Sequence, residues 1–444
     1  MSHASGSASN EPASHWGPVA ERERILALDV LRGVAVGGIL LANILIFAFP
    51  AGSANLVAES SRTADQLVGV FQGLFVEGKF YSMFSILFGV GIALQSRRAQ
   101  RADQPFTNVY VRRLIVLVFI GIVHGVFLFS ADILAFYAVV AFLALPFRNA
   151  KPRTLLGAAV VLYATGLLLL GMYAQGSEKN PTPQEPDWQA MIERRQPLPQ
   201  DPWLVVVPPV ADLLRGSELD FYKFMADEQR IFAEGTWLER MEHRAVRFFL
   251  VATPLKLVFV SWRVLALFLL GMYFVSRFAN LEATDETSLY KRRAISFFVL
   301  GMMLQLVGAV AQVAVGQHIL ALPVFLIGTF TGVVAVSLGY AGWTMTLCVR
   351  KAGSLVVHAL GAVGRMALTN YLAQSIICGL IFYSYGLGLF GQLRPAEVMV
   401  LTLPIFALQL VASSIWLRYF RFGPAEWVWR SLSYLRLQQM QRVQ

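Results

Sequence analysis

Charge is what this chain has least of. Only 14% of its 444 residues are charged and 56% are hydrophobic, whereas a soluble surface needs roughly 25% charged residues. That excludes an ordinary water-soluble globule. Cysteine is nearly absent as well. Cys348 and Cys378 are the two, both in or beside apolar stretches, so there is no disulfide framework, CxxC pair or zinc spacing, and no metal is expected. The opening, MSHASGSASNEPASHWGPVA, lacks the basic-then-apolar pattern of a signal peptide, and no A-x-A site follows the first apolar run. That run is therefore expected to remain as an anchor.

What the chain does have is long apolar runs, about ten of them of bilayer-crossing length. They start near Gly33, Phe80, Leu114, Ile133, Thr154, Val264, Ala294, Ile319, Met366 and Val398. The expected fold is all-α: a polytopic integral membrane bundle of about ten transmembrane helices. Residues 1–24 are expected to be a disordered cytoplasmic start and 25–173 to hold spans one to five. Residues 174–247 are expected to form an extracytoplasmic loop with a helical cap, 248–420 spans six to ten, and 421–444 a cytoplasmic tail. Within the loop, Gly235 is a break, and Thr236 with Glu239 fits a capping box that opens a helix. Glu77-Gly78-Lys79 is a polar break ahead of span two.

The net charge of +10 does not imply a nucleic-acid partner, because the basic residues crowd alternate connections. Arg97, Arg98, Arg101, Arg112 and Arg113 lie between spans two and three, and Arg148, Lys151 and Arg153 between four and five. Arg277, Lys291, Arg292 and Arg293 follow span six; Arg350, Lys351 and Arg365 follow span eight. Arg418, Arg421, Arg430 and Arg436 close the chain. This is the positive-inside pattern, and it places both termini in the cytoplasm.

Polar residues inside apolar runs are expensive and mark candidate function. His124, in LIVLVFIGIVHGVFLFS, is expected near mid-bilayer, neutral and poised as a general base; the alternative is a histidine bonding across helices for packing. Asp132 lies about 12 Å further along an unbroken helix. No direct bond to His124 is expected, and Asp132 is assigned a supporting role at the outer mouth with Glu77 and Lys79. In RILALDVLRGVAVGGILLANI, Asp29 and Arg32 share a face at the inner mouth. Asn43 continues that face about 15 Å deeper. Gly33 and Gly37 form a small-residue patch for a close helix neighbour. Asn370 and Gln374 share a face in span nine, and Gln305 and Gln409 add buried amides, a pattern that serves interhelical bonding as readily as a substrate.

Several stretches resemble a known family: LDVLRGVAVGGILLANI, GKFYSMFSILFGVGIALQSRRA, RRLIVLVFIGIVHGVFLFSADIL, GRMALTNYLAQS, YGLGLF and WLRYFRFGPAEWVWRSLSY. Together they are similar to the bacterial YeiB-like membrane family, domain of unknown function 418. Ala131 stands where that family commonly has Gly before the Asp. The resemblance implies a place in a bacterial cytoplasmic (inner) membrane. It also implies kinship with transmembrane acyltransferases of the heparan-α-glucosaminide N-acetyltransferase type, through the Asp-x-x-Arg-Gly opening of span one.

On that basis the expected activity is transfer of an acyl group from a cytosolic acyl-CoA to a small-molecule or glycan acceptor. Arg32, Arg112, Arg113 and Arg365 would hold the donor's phosphates. His124, Asp132 and Glu77 would be the catalytic set, and Asp29, Asn43, Lys79 and Asn370 would line the substrate path. A small-solute transporter and a non-catalytic membrane subunit are the competing readings; no internal repeat relates the two halves, as many transporters show. The topology is directly testable. A cysteine placed at Ser177 is expected to react with impermeant reagent in intact cells, and a reporter fused after Gln444 to be active only in its cytoplasm-sensing form. Labelling at Ser177 only after permeabilisation overturns the scheme.

Overall fold

A computed structural model describes residues 25–50, 62–103, 106–177, 228–278, 287–315 and 320–442. The described residues are helical, with no sheet beyond an isolated bridge between Phe420 and Gln441. Among the described residues, seven helices are long and apolar enough to cross a membrane. An eighth crossing arises if Trp237–Phe259 and Ser261–Arg277, bent by 55°, form one span. Two of the ten expected spans, over Leu134–Asn149 and Ala367–Phe382, are shorter apolar helices. The all-α membrane bundle stands. The expected N-terminal segment 1–24 and most of the expected cap, 178–227, lie outside the described residues.

The chain opens with α1 (Leu26–Ala48) and α2 (Thr63–Phe71), the latter running into a π-helical turn at Gln72–Val76. Glu77 leaves the helical region and Gly78 takes φ +80°, so α3 (Lys79–Arg101) starts in a new direction. A side chain at Gly78 would be strained by that left-handed backbone. Next come α4 (Phe106–Phe127), α5 (Leu134–Ala144) with a 3-10 turn to Asn149, and α6 (Pro152–Ser177). After the undescribed stretch come α7 (Trp237–Val246), a second π turn, α8 (Thr253–Phe259) and α9 (Ser261–Phe278). The expected capping box opens α7. Glu239 N–H donates to Thr236 Oγ1, while Thr236 N–H donates to the Glu239 carboxylate at 2.7 Å.

The C-terminal half holds the antiparallel pair α10 (Thr287–Val313) and α11 (Ala321–Arg350), then α12 (Leu355–Arg365), α13 (Ala367–Phe382), α14 (Pro395–Tyr419) and α15 (Pro424–Tyr434). Span nine, expected as one helix from Met366, is the second half of a broken pair. Met366 adopts φ −111°, ψ 32° between α12 and α13, too far from helical values to carry the ladder through.

Outward faces are apolar, as Val161, Leu168, Leu306, Val310 and Leu403 show, all more than half exposed, which suits contact with lipid chains. The interior holds two large apolar clusters. One gathers Ile92, Leu114, Ala138, Val140 and Phe268 between α3, α4, α5 and α9. The other gathers Leu40, Ile44, Phe47, Phe129, Phe382 and Phe390 towards the far ends of α1 and α13.

Because hydrocarbon provides no hydrophobic drive between helices, close backbone approach must supply the packing. Gly33 meets that requirement against α12: a Cβ there would fall 2.0 Å from the Leu360 carbonyl oxygen. Gly364 returns the contact, with a Cβ position 1.7 Å from the carbonyl oxygen of Asp29. Gly37 faces the Phe406 ring on α14 instead, so the expected glycine patch serves two neighbours. Gly364→Ala must push α12 off α1. Overpacking of this kind costs about 1–3 kcal/mol, so the melting temperature in detergent should fall by several degrees, with surface-facing Gly157→Ala as the neutral control.

Candidate functional site

His124 occupies the last turn of α4, three residues from its end rather than half-way along a span. The helix stops there because the N–H groups of Leu128 and Phe129 both donate to the His124 carbonyl, at 2.9 and 2.8 Å. A second turn follows, closed by Asp132 N–H donating to the Phe129 carbonyl at 3.0 Å. The chain then folds straight back as α5, whose Ala135 nitrogen lies 2.2 Å from the position a Cβ on Gly121 would take. The unbroken helix assumed from spacing is therefore wrong. Asp132 is not 12 Å from His124 but bonded to it.

The contact is direct. Nδ1 of His124 and Oδ1 of Asp132 are 2.8 Å apart, and both side chains are sealed from solvent. On the other side of the ring, Nε2 lies 2.8 Å from Oγ of Ser375 on α13. His124, Asp132 and Ser375 are each 1% exposed. A neutral imidazole fits the geometry in one tautomer. Its Nδ1–H donates to the carboxylate, leaving Nε2 to accept the serine O–H. Asp132 is held in turn by Ala135 N–H, which donates to Oδ2 at 2.9 Å, while the Lys256 ammonium donates to the Asp132 backbone carbonyl at 2.5 Å. The Tyr371 ring leans on the imidazole with centroids 4.9 Å apart, and Phe129, stacked on Phe47, approaches its other edge. A hydroxyl, an imidazole and a carboxylate in hydrogen-bonded sequence are the parts of a nucleophile, its base and the base's orienting group.

Sequence reasoning chose His124 and Asp132 but missed Ser375 and Lys256. Ser375 is the terminal residue of TNYLAQS, one helical turn beyond Tyr371, and nothing in its own spacing points to a histidine on another helix. Lys256 carried a usable signal, since a lysine amid LVFV in an apolar run needs a partner.

The third expected catalytic residue, Glu77, is elsewhere. It is exposed at the α2–α3 kink and interacts electrostatically with Lys79 and Arg263. Lys79 is 1% exposed, and its ammonium donates to the carbonyl of Gly73 in the π turn. Its backbone carbonyl accepts from Ser337. The kink is thus tied by Lys79, while Arg263 stacks on Tyr81 and Phe330.

The expected phosphate-binding arginines share the end of the bundle opposite His124. Arg32 Nη1 donates to Asp29 at 2.9 Å, as the spacing implied. Arg365 closes α12 beside Gly364, which rests on Asp29. Arg113 lies 4.3 Å above the Trp429 ring, and the Trp429 indole donates to its backbone carbonyl. Arg112, half-buried, has an Nε without a hydrogen-bond partner among the described residues. Asn43 is half-buried on α1.

Asn370 and Gln374 enter a network with α14 and α1. Asn370 donates to Ser413, and Gln374 donates to Gln409 and to the Val36 carbonyl. Gln409 donates back to the Asn370 carbonyl at 2.8 Å. These amides lock α13 in rotation and so fix where Ser375 points. Gln305 remains local, 3.4 Å from the Gly301 carbonyl one turn back.

Comparison with known proteins places the chain in a family. The family model described as "Protein of unknown function (DUF418)" matches residues 274–436. The chain is 32% identical over 428 residues to the uncharacterized protein YxaH of Bacillus subtilis (strain 168), covering 95% of this chain and 97% of the relative. The chain belongs to the DUF418 family. It is also 29% identical to the uncharacterized protein YeiB of Escherichia coli (strain K12), over 93% of this chain and 96% of that protein. A 39.9 kDa protein encoded in an amylase 3′ region of Bacillus acidopullulyticus matches at 29% over 94% and 96%. No solved structure matches the chain. The matched stretch of this chain includes Ser375, Asn370, Gln374 and Gln409; the similarity to the relatives extends across nearly all of the amino-terminal half as well.

One further feature of this chain went unread in the sequence. Glu426, in GPAEW at the start of α15, fills the break between α12 and α13. Its Oε1 accepts from the N–H groups of Leu368 and Thr369 at 2.7 and 3.1 Å, and its Oε2 accepts from the Thr369 hydroxyl at 2.5 Å. A carboxylate there meets the orphan donors and the positive end of the α13 dipole. Burial raises the Glu426 carboxyl above its ordinary value, against the opposing pull of those hydrogen bonds. A proton held more tightly in the folded state favours folding at acid pH, and that gain is lost as pH rises through the raised value. Glu426→Gln keeps an acceptor and removes this pH dependence. Glu426→Ala strands the buried N–H of Leu368 and the partly buried N–H of Thr369 and should cost about 1–3 kcal/mol. Thermal unfolding of the three proteins between pH 4 and 8 separates these effects.

Proposed function

We propose that this DUF418 protein is a transmembrane acyltransferase that uses His124 as its base. The observation that carries the proposal is the placement of the imidazole, held by a carboxylate on one nitrogen and facing a serine hydroxyl with the other, almost fully buried. Interhelical packing alone would be met by one of these bonds. Keeping Asp132 charged and enclosed costs several kcal/mol unless it is fully partnered, and the set of partners around it is what a base needs to remain in one tautomer.

The donor is proposed to be a cytosolic acyl-CoA. Both termini and the arginine-rich end of the bundle would face the cytoplasm of a bacterial inner membrane, in keeping with the basic connections. Arg32, Arg112, Arg113 and Arg365 would then meet the donor's phosphates. From Arg113 to His124 is about 16 Å along α4, a distance that an extended pantetheine arm bridges. At the far end, Ser375 Oγ attacks the thioester carbonyl while its proton passes to His124 Nε2. The C–S bond breaks, and the proton leaves with the sulfur as the thiol. An acceptor hydroxyl or amine then gives its proton to His124 as it takes the acyl carbon, and Ser375 recovers a proton as its ester bond breaks.

General-base catalysis contributes typically 10²–10⁴-fold, so His124→Gln, which keeps a hydrogen bond but no base, should reduce transfer by at least about a hundredfold with folded yield preserved. Purified protein given radiolabelled acetyl-CoA should acquire a hydroxylamine-labile label at Ser375, absent in Ser375→Ala and His124→Gln. If the Gln variant labels and transfers at the normal rate, His124 is a packing residue and the reading fails.

A further inference from the structure

Helix α7 carries two arginines one turn apart, Arg240 and Arg244, that are 3% and 1% exposed. Arg244 Nη1 donates to the carbonyl of Phe127, the last residue of α4, at 2.9 Å. Its Nε and Nη2 are buried and have no hydrogen-bond partner among the described residues. Those two N–H groups form one parallel edge of the guanidinium, the edge that grips a carboxylate or phosphate through two bonds at once. Its faces are already taken, with Phe232 at 5.1 Å and Tyr383 at 4.8 Å.

The neighbouring charges do not neutralise this edge. Arg240 donates to the Gly235 carbonyl and to the Ser384 hydroxyl, and lies 5.1 Å from the Tyr385 ring. Its own Nε is buried without a partner. Glu228 is engaged by Arg247. Glu239 is exposed, held in the Thr236 capping box and 3.7 Å from Arg230. Among the described residues, two enclosed cations therefore share a helix face, and the one carboxylate that attracts Arg240, that of Glu239, is already held by Thr236 and Arg230, a costly arrangement when left uncompensated.

We propose that the open edge of Arg244, backed by Arg240, is an oxyanion-binding site for a ligand group presenting two oxygens, a carboxylate or a phosphate. Phe127 lies about 4.5 Å along the helix axis from His124, so an anion gripped here sits just beyond the imidazole. The site would hold the charged group of the acyl acceptor while its hydroxyl or amine faces His124. That assignment to the acceptor rests on the acyltransferase reading; the anion site itself does not.

Hydrogen–deuterium exchange on the full-length protein, with no acyl donor present, tests the site separately from catalysis. In nanodiscs of zwitterionic phosphatidylcholine at constant ionic strength, inorganic phosphate or acetate replacing chloride should slow exchange across residues 237–247 in a saturable way. Arg244→Lys keeps the charge but loses the two-bonded edge and should weaken the response at least about tenfold, while Arg247→Lys leaves it unchanged. A third arm uses nanodiscs containing phosphatidylglycerol and no added anion. Protection of 237–247 there that Arg244→Lys abolishes assigns the oxyanion to a lipid headgroup; protection by the soluble anions alone assigns it to a soluble ligand. Should Arg244→Lys fail to fold, the wild-type response decides, because anions bound elsewhere protect other segments. No protection of 237–247 in any arm, or an equal response from Arg244→Lys, overturns the proposal.

Discussion

The carboxylate of Asp132, buried where no water can solvate it, is the constraint around which the amino-terminal half is arranged. An ion in such a place persists only with hydrogen bonds on its lone pairs and a compensating charge nearby. Three separate pieces of chain meet these demands: the His124 ring from α4, the Ala135 N–H from α5, and Lys256 from α8 through the neighbouring carbonyl. The α4–α5 turn must be tight to bring them together, and Gly121 is what lets the two backbones touch. Ser375 then fixes α13 against this group through the opposite ring nitrogen. The imidazole thus sits on the seam between the two apolar clusters, with Tyr371 from one and Phe129 from the other.

A comparable logic governs the two breaks in the helices. At Gly78 the chain turns through a left-handed residue, and the carbonyl groups freed by the π turn are met by Lys79 and by Tyr340, whose hydroxyl donates to the Phe75 carbonyl. At Met366 the freed N–H groups at the start of α13 are met by Glu426. A cation serves exposed carbonyls and an anion serves exposed amides, as the polarity of helix ends requires. Both breaks are stable because a distant or adjoining charged side chain replaces the missing turn of helix.

The membrane class and the burial of His124 were legible because each rests on the cost of removing polar groups from water, which a single sequence displays directly. The Thr236–Glu239 box and the Asp29–Arg32 pair were legible because helical spacing alone defines them. What spacing could not show was where a helix stops. The run LIVLVFIGIVHGVFLFSADIL has no proline between His124 and Asp132, and its Gly125 stays inside α4, so the stop directly after Phe127 emerges only from the demand for the Asp132 partners. Ser375 lies 251 positions from His124, and Glu426 reaches a helix 57 positions away; tertiary partners of that kind leave no periodic trace. Glu77 shows the reverse error. A polar break is a sound sign of a bend, but the bend uses Lys79 and leaves the carboxylate at the surface.

The arginines show how a protein with few acids stabilises many bases. Arg113 lies over Trp429, Arg148 over Phe106, Arg263 over Tyr81 and Phe330, and Arg430 over Phe422. Guanidinium groups are weakly hydrated and stack on aromatic rings, and a desolvated cation–π contact contributes up to about 2 kcal/mol. Such contacts occupy the face of the group, while its N–H groups can turn to backbone carbonyls, as Arg148 does to Leu145. Aromatic faces under arginines thus work in this bundle beside its few ion pairs, such as Arg32–Asp29 and Arg247–Glu228.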